Sequence, residues 1–242
     1  MRRQLMITIE QLGNFPKITS KCDISQIIVD TIKNENFSIK NGDILCIASK
    51  LLSKVEGNFI NLNKIIPSKV AKNIHKKLPR KDPRLIQVII DQTQDPTGEK
   101  LQIENNFIGA FLPNGLFLTS GGVDKYHDNI VLTLPRNCDE MARNISVRIQ
   151  QELGIKLAVI ITDSDGRIDK VGATQVAVGL YGISGLRKTT FKEKSNVETI
   201  CDMLAAASGL IMGQRGSGFP LVKISGYEYD FNSNAKLIHA IN

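Results

Sequence analysis

The sequence predicts an α+β protein with mixed β-sheets and flanking helices, folded as a single compact unit. Three observations carry this. Apolar runs rich in branched residues, Ile44–Ala48 and Leu157–Ile161, read as buried strands. Amphipathic helices alternate with such runs, the clearest over Asp139–Leu153. The turn-punctuated stretch from Leu101 to Thr119 reads as three short strands, which adds local antiparallel pairing. No internal repeat, low-complexity tract or interdomain linker divides the chain. Residues 1–242 are therefore read as one unit, with the motifs inside 5–225 and a polar tail over 226–242 that adds little.

The elements follow in order. Leu5–Glu10 alternates as a strand does, and Gly13, Asn14 and Pro16 then form a loop. Asp23 or Ser25 caps a helix over Ile24–Lys33, whose Ile24, Ile27, Ile28, Thr31 and Ile32 share a face. Asn41-Gly42-Asp43 turns into the strand Ile44–Ala48, and Ser49–Gly57 reads as a polar strand end and turn. Pro67–Leu78 is a basic amphipathic helix with Pro67 in its first turn, and Asp82-Pro83 starts another over Arg84–Asp91. Strands at Leu101–Ile103, Phe107–Leu112 and Gly115–Thr119 follow, the last two joined through Pro113-Asn114-Gly115. Ser120–Asn129 is a glycine-bearing loop, and Ile130–Leu134 a strand ended by Pro135. The Asp139–Leu153 helix, closed by Gly154, feeds Leu157–Ile161. Thr174–Gly182 is a strand. A helix capped near Ser195 or Asn196 runs to about Ile211 with Val197, Ile200, Leu204 and Ala207 inward, and Leu221–Ile224 is the last strand.

Bulk properties narrow the function. A chain of 242 residues can bury roughly 70% of the surface it exposes when unfolded. The formal net charge of +7 suits a polyanion, whether nucleic acid or a small acidic substrate. Helix-turn-helix, zinc-finger and aromatic-basic patterns are missing, and with only 5% aromatic residues and no Trp a base-stacking surface is disfavoured. No nucleic-acid partner is expected. Cys22, Cys46, Cys138 and Cys201 form no CxxC pair and read as buried free thiols of a reducing compartment. No signal-peptide pattern and no apolar run of transmembrane length occur, so a cytoplasmic protein without a membrane partner is expected.

Four stretches hold candidate chemistry. After the strand Leu157–Ile161 come Thr162-Asp163-Ser164-Asp165-Gly166-Arg167. Hard oxygen donors where a core strand surfaces suit a magnesium- or manganese-type ion with its phosphate ligand, but Asp-Gly after a strand also suits a plain turn. Ser49, Lys50, Ser53 and Lys54 could hold phosphate, or form a solvated loop. Ser120-Gly121-Gly122-Val123-Asp124 allows close backbone approach to a ligand, with His127 just beyond, or is a flexible loop. Met212–Gly218, with Gln214 and Arg215 among glycines, could cradle phosphate or only stop a helix.

Taken together, GDILCIASKLLSKVEG, SGGVD, VIITDSDGRIDKVGATQVAVGLYGI and AAASGLIMGQRGSGFPLV resemble the coenzyme F-420 precursor:L-glutamate ligases, in that family's order over residues 5–225. The resemblance implies that Ser49, Lys50 and Lys54 bind nucleotide, matching a Ser-(Lys/Thr)-x-x-Ser-Lys motif. It implies catalytic and metal-binding roles for Asp124 and Asp163, with Ser164 and Gln214 completing the metal and nucleotide sites. His127 stands where the family has Asn and is grouped with the nucleotide-binding residues. Ser120-Gly121 replaces Asn-Ala, and the segment after Leu186 is shorter than the family's. The implied cofactor is Mg2+ or Mn2+, with K+ also admitted, and GTP or ATP is co-substrate. The implied partners are L-glutamate, a small anionic acceptor and a second copy in an intertwined homodimer.

The implied reaction is glutamate ligation to the carboxylate of the deazaflavin precursor through an acyl phosphate. The richness in Ile, Lys and Asn points to an AT-rich genome, which favours folate as an alternative acceptor. A non-catalytic nucleotide-binding protein is the alternative of another class. A haloacid-dehalogenase-type phosphatase shares Asp-x-Asp-Gly after a strand, but here the motif comes late and no acidic pair follows it.

Overall fold

The computed structural model describes residues 6–18, 21–104, 106–213 and 219–242. The chain opens with β1 (Thr8–Gln11) and α1 (Ile24–Asn34), then β2 (Ile44–Ala48) runs directly into α2 (Ser49–Glu56). Next come β3 (Phe59–Asn61), α3 (Lys69–Lys77), α4 (Pro83–Thr93), β4 (Leu101–Glu104), β5 (Phe107–Phe111) and β6 (Phe117–Thr119). β7 (Asp124–His127) and β8 (Ile130–Leu132) precede α5 (Cys138–Leu153), β9 (Ala158–Gly166) and β10 (Ala173–Tyr181). β11 (Leu186–Phe191), β12 (Lys194–Thr199), α6 (Ile200–Met212) and β13 (Leu221–Ser225) complete the set.

The central sheet has the order β1-β13-β2-β9-β10, with β2 and β9 parallel and the other neighbours antiparallel. Its strands are apolar on both faces because both are covered. Strand alternation sends Leu45, Ile47, Val159 and Ile161 into a core with α1, α2 and α5, and Ile44, Cys46, Ala158 and Ile160 into a core with α6. A third core lies under α3, α4 and the small sheets β4-β5-β6 and β3-β8-β7. The architecture is mixed α+β, as the sequence predicts. No helix among the described residues is long and apolar enough to cross a membrane.

Several elements differ from the sequence expectation. Ser49–Gly57 is not a strand end and turn: Leu51, Leu52 and Val55 bury one side of α2, and Gly57 stops it at φ 75. β9 does not end at Ile161. It continues through Asp163, Ser164 and Asp165 because β10 pairs with it along that length, and the chain reverses later, where Arg167 N–H bonds Gly172 O. Residues 124–127 form a strand rather than a loop. Pro67 lies outside α3, which Ser68 caps. Ser195, Asn196 and Val197 belong to β12, so α6 starts only at Ile200 and Val197 is exposed rather than inward.

The tail is also packed, contrary to the expectation. Ala235 and Leu237 are buried in the α6-side core. Tyr229 Oη accepts from Ala158 N–H at 3.0 Å and donates to Asp43 O at 3.2 Å, bracing the start of β9. Ala158 N–H also reaches Asp43 O at 3.2 Å, so it keeps a partner without the phenol. Tyr229→Phe is therefore expected to cost only about 1 kcal/mol in urea unfolding.

Candidate active site

The site grows from one register. Parallel pairing sets Ala48 of β2 beside Thr162 of β9, so the next residues, Ser49 and Asp163, emerge side by side at the carboxyl ends of the two strands. Ser49 Oγ donates to Asp163 Oδ1 at 2.7 Å, and both side chains are buried. Helical spacing then sorts α2 into two stripes. Ser49 and Ser53 share the buried one, where Ser53 Oγ donates to Ser49 O at 3.1 Å. Lys50 and Lys54 share the adjacent one. Lys50 Nζ lies 3.3 Å from Asp124 Oδ2, which ties α2 to β7. Lys54 Nζ sits 5.3 Å from the centre of the Tyr126 ring. Burial first, then Lys50 and Lys17, lower the Lys54 pKa.

Asp124 and Asp163, 39 residues apart in the chain, act on each other electrostatically. Asp163 is only 8% exposed. Burial, and next the Asp124 charge, push its pKa up to about 7 against the lowering effect of the Ser49 hydrogen bond. Asp165 is also raised, chiefly by burial, while Thr119 N–H donates to its Oδ1 at 2.7 Å. The strand β6 is thereby pinned to β9, and Thr119 Oγ1 adds a bond to Gly166 O at 3.0 Å.

A cleft of about 400 Å³ opens beside these groups, lined among others by Arg80, Lys81, Thr119, Ser120, Asp124 and Ser164. Asp163, buried, is not among its lining residues. Strand alternation turns the Ser164 side chain to the face opposite Asp163. His127 is exposed, set edge-on to Tyr126 with ring centres 4.3 Å apart, and does not line the cleft. Gln214 lies outside the described residues.

Among the described residues, no three His, Cys, Asp or Glu side chains gather as a metal cage. The hard-donor set is two mutually repelling carboxylates with serine hydroxyls near them. A buried carboxylate held against its own ionisation, next to a second one, is a donor set that a hard divalent cation would relieve. The residues thus fit a magnesium- or manganese-type ion.

Sequence reasoning missed Arg80, Lys81 and Thr119 as cleft residues, whereas Ser120 belongs to the glycine-bearing stretch it singled out. The sequence shows Lys76–Lys81 as a modest basic cluster, but nothing local indicates that its end meets the glycine-bearing turn.

Comparison with known proteins bears on this arrangement. A family model described as F420-0:Gamma-glutamyl ligase matches residues 13–226. The coenzyme F420:L-glutamate ligase of Methanothermobacter thermautotrophicus is 32% identical over 232 residues, covering 92% of this chain and 90% of that protein. The protein of the same name from Methanocaldococcus jannaschii is 37% identical over 207 residues, covering 81% and 80%. The one from Methanococcus maripaludis is 35% identical over 196 residues, covering 78% and 77%. A match of this extent shows that the chain belongs to the F420-0:gamma-glutamyl ligase family and is an amide-forming ligase.

Proposed function

We propose that the protein joins L-glutamate to the carboxylate of a coenzyme F420 precursor at the expense of a nucleoside triphosphate. The observations that support this reading are the ion pair of Lys50 with Asp124, the charge of Asp124 acting on the buried Asp163, and the open cleft that Asp124 borders. Two chemical steps follow from the reaction class. An oxygen of the acceptor carboxylate attacks the γ-phosphorus, the bond to the β-phosphate oxygen breaks, and nucleoside diphosphate leaves. The glutamate amine, having lost a proton, then attacks the acyl carbon, and the carbon–oxygen bond to phosphate breaks to give amide and inorganic phosphate.

The chain's own groups suit these steps. Lys50 and Lys54, one turn apart on α2, present two ammonium groups to a triphosphate. Ser49 orients the Asp163 carboxylate. Asp124 and Asp163 would hold one divalent cation, and Asp124 with Ser164, on the other face of β9, and Gln214 would hold a second. A bound cation would offset charge on the transferring phosphoryl group. GTP and ATP remain arms of the same test.

The assay supplies purified protein, L-glutamate, Mg2+ or Mn2+, GTP or ATP, and either the deazaflavin precursor or a folate. Mass spectrometry is expected to show addition of glutamyl residues to the deazaflavin. Product with folate alone would reassign the acceptor. Tight nucleotide binding with no product from either acceptor would overturn the ligase reading in favour of a non-catalytic protein.

A homodimer is part of the proposal. Among the described residues β11 and β12 pair only with each other, and most of their residues are exposed, including Phe191 at 71% and Val197 at 56%. A two-stranded ribbon is marginal in water unless something covers it. We infer that a second copy does. Light scattering is expected to give twice the 26.7 kDa of one chain, and Phe191→Asp with Val197→Asp is expected to shift it toward the monomer.

A further inference from the structure

The basic residues Arg80 and Lys81 line the same cleft as Asp124 and have no role in the steps above. Lys81 lies in the connection from α3 to α4, just before the Asp82 cap and Pro83. His75 Nδ1, 2.8 Å from Lys81 O, holds the backbone there. Lys81 Nζ donates to Ser120 Oγ at 2.9 Å, and among the described residues no carboxylate pairs with it. Burial first, then the Arg80 guanidinium, lower its pKa. An ammonium partly withdrawn from water beside a second cation, with only a hydroxyl as acceptor among the described residues, is an incomplete arrangement that an anion would complete.

The partner hydroxyl is also specially held. Ser120 has φ 55 and is followed by Gly121 at φ 59 and Gly122 at φ 68, three left-handed residues in a row. For a serine this conformation is strained, on the order of 1 kcal/mol or more, and such strain tends to persist where a ligand is gripped. Gly122 cannot carry a side chain without displacing Leu134, since a Cβ would lie 2.6 Å from its Cδ1.

Asp124 is common to the surroundings of both basic sets. Lys50 reaches Asp124 from α2, while Lys81 lines the cleft that Asp124 also borders. With the triphosphate on the α2 side, the remaining substrates must approach through the cleft. Both of them are carboxylic acids. We propose that Lys81 and Ser120 bind a carboxylate of one of the two acids being joined, rather than a nucleotide phosphate. This rests on the ligase reading. The acceptor carboxylate and the glutamate α-carboxylate share the required chemistry, and kinetics separate them.

Initial rates are measured for wild type, Lys81→Met, Lys81→Arg and Ser120→Ala, varying each substrate in turn. Lys81→Met is expected to raise KM for the acceptor or for glutamate roughly tenfold to a hundredfold, the loss of a charge-assisted hydrogen bond. KM for the triphosphate should stay within about twofold, and Lys81→Arg and Ser120→Ala should give smaller rises. Unchanged KM for both acids, or a rise confined to the triphosphate, would overturn the proposal while leaving the ligase reading intact. Calorimetric titration with the triphosphate checks that each variant is folded. If wild type itself gives no product, the ligase reading fails separately. Titrations with L-glutamate and with the deazaflavin precursor then read the site directly: heat present in wild type and lost in Lys81→Met for either acid supports it, and no difference with both overturns it.

Discussion

Asp163→Asn is expected to lower kcat by roughly a thousandfold or more while leaving the protein at least as stable as wild type at pH 8. The two halves have one cause. Asparagine keeps an oxygen where Ser49 Oγ donates at 2.7 Å, so the local hydrogen bond survives. It removes the charge that a divalent cation and its phosphate would need. It also removes a burden on the fold. The folded pKa of Asp163 is about 7, above that of an unfolded aspartate near 3.9. Below pH 4 the group is protonated in both states and has no effect. Between about 4 and 7 the unfolded chain gives up the proton while the folded chain holds it, so stability falls as pH rises. Above 7 the folded protein carries a buried charge, costing on the order of a few kcal/mol. Urea titrations of metal-free protein from pH 4 to 8 should show that decline in wild type and a flatter profile in Asp163→Asn. Adding Mn2+ at pH 8 should raise the wild-type Tm and leave the variant unmoved. A variant within tenfold of wild-type kcat would remove Asp163 from the mechanism.

How far the sequence reveals this site depends on the range of the interaction. β2 and the first half of β9 are legible because branched apolar residues on both faces leave a continuous signal. α5 is legible because its apolar spacing and Gly154 stop agree. The second half of β9 is not, since Asp163, Ser164 and Asp165 carry no apolar period and are held in extended form by β10, a partner reached only after the reversal at 167–172. α2 is hidden for another reason. It is eight residues long, has no side-chain cap at Ala48, and half of its positions are Ser or Lys. The start of α6 is displaced because Val197 falls at helical spacing from Ile200 and Leu204 although β11 claims it. Motif order brings Asp124 and Asp163 to notice, but their electrostatic contact, and the bond from Lys81 to Ser120, are set by three packed cores rather than by any local pattern.

Gly179→Ala is expected to be the most damaging single methyl in the chain's central sheet, abolishing folding or costing at least about 3 kcal/mol. Gly179 lies in β10 where the first turn of α5 crosses. A Cβ there would stand 2.3 Å from Cys138 Cβ, 2.6 Å from Cys138 C and 2.9 Å from Asp139 N. Two of these are backbone atoms, so no rotamer change relieves the overlap. Nor can α5 retreat freely. Asp139 Oδ1 accepts from Leu180 N–H at 2.8 Å, the residue after the glycine, and the same carboxylate caps Leu237 N–H in the tail. The helix start is thus tied to the strand at the point where the methyl would push it off. Gly154→Ala makes the control. That residue has φ 70 but nothing within 4 Å of a Cβ, so only the backbone penalty applies, about 1 kcal/mol. Because β10 also holds the second half of β9 extended, a Gly179→Ala protein that does fold should lose activity along with stability. Wild-type Tm and kcat in Gly179→Ala would mean that α5 and β10 do not approach as closely as this packing requires.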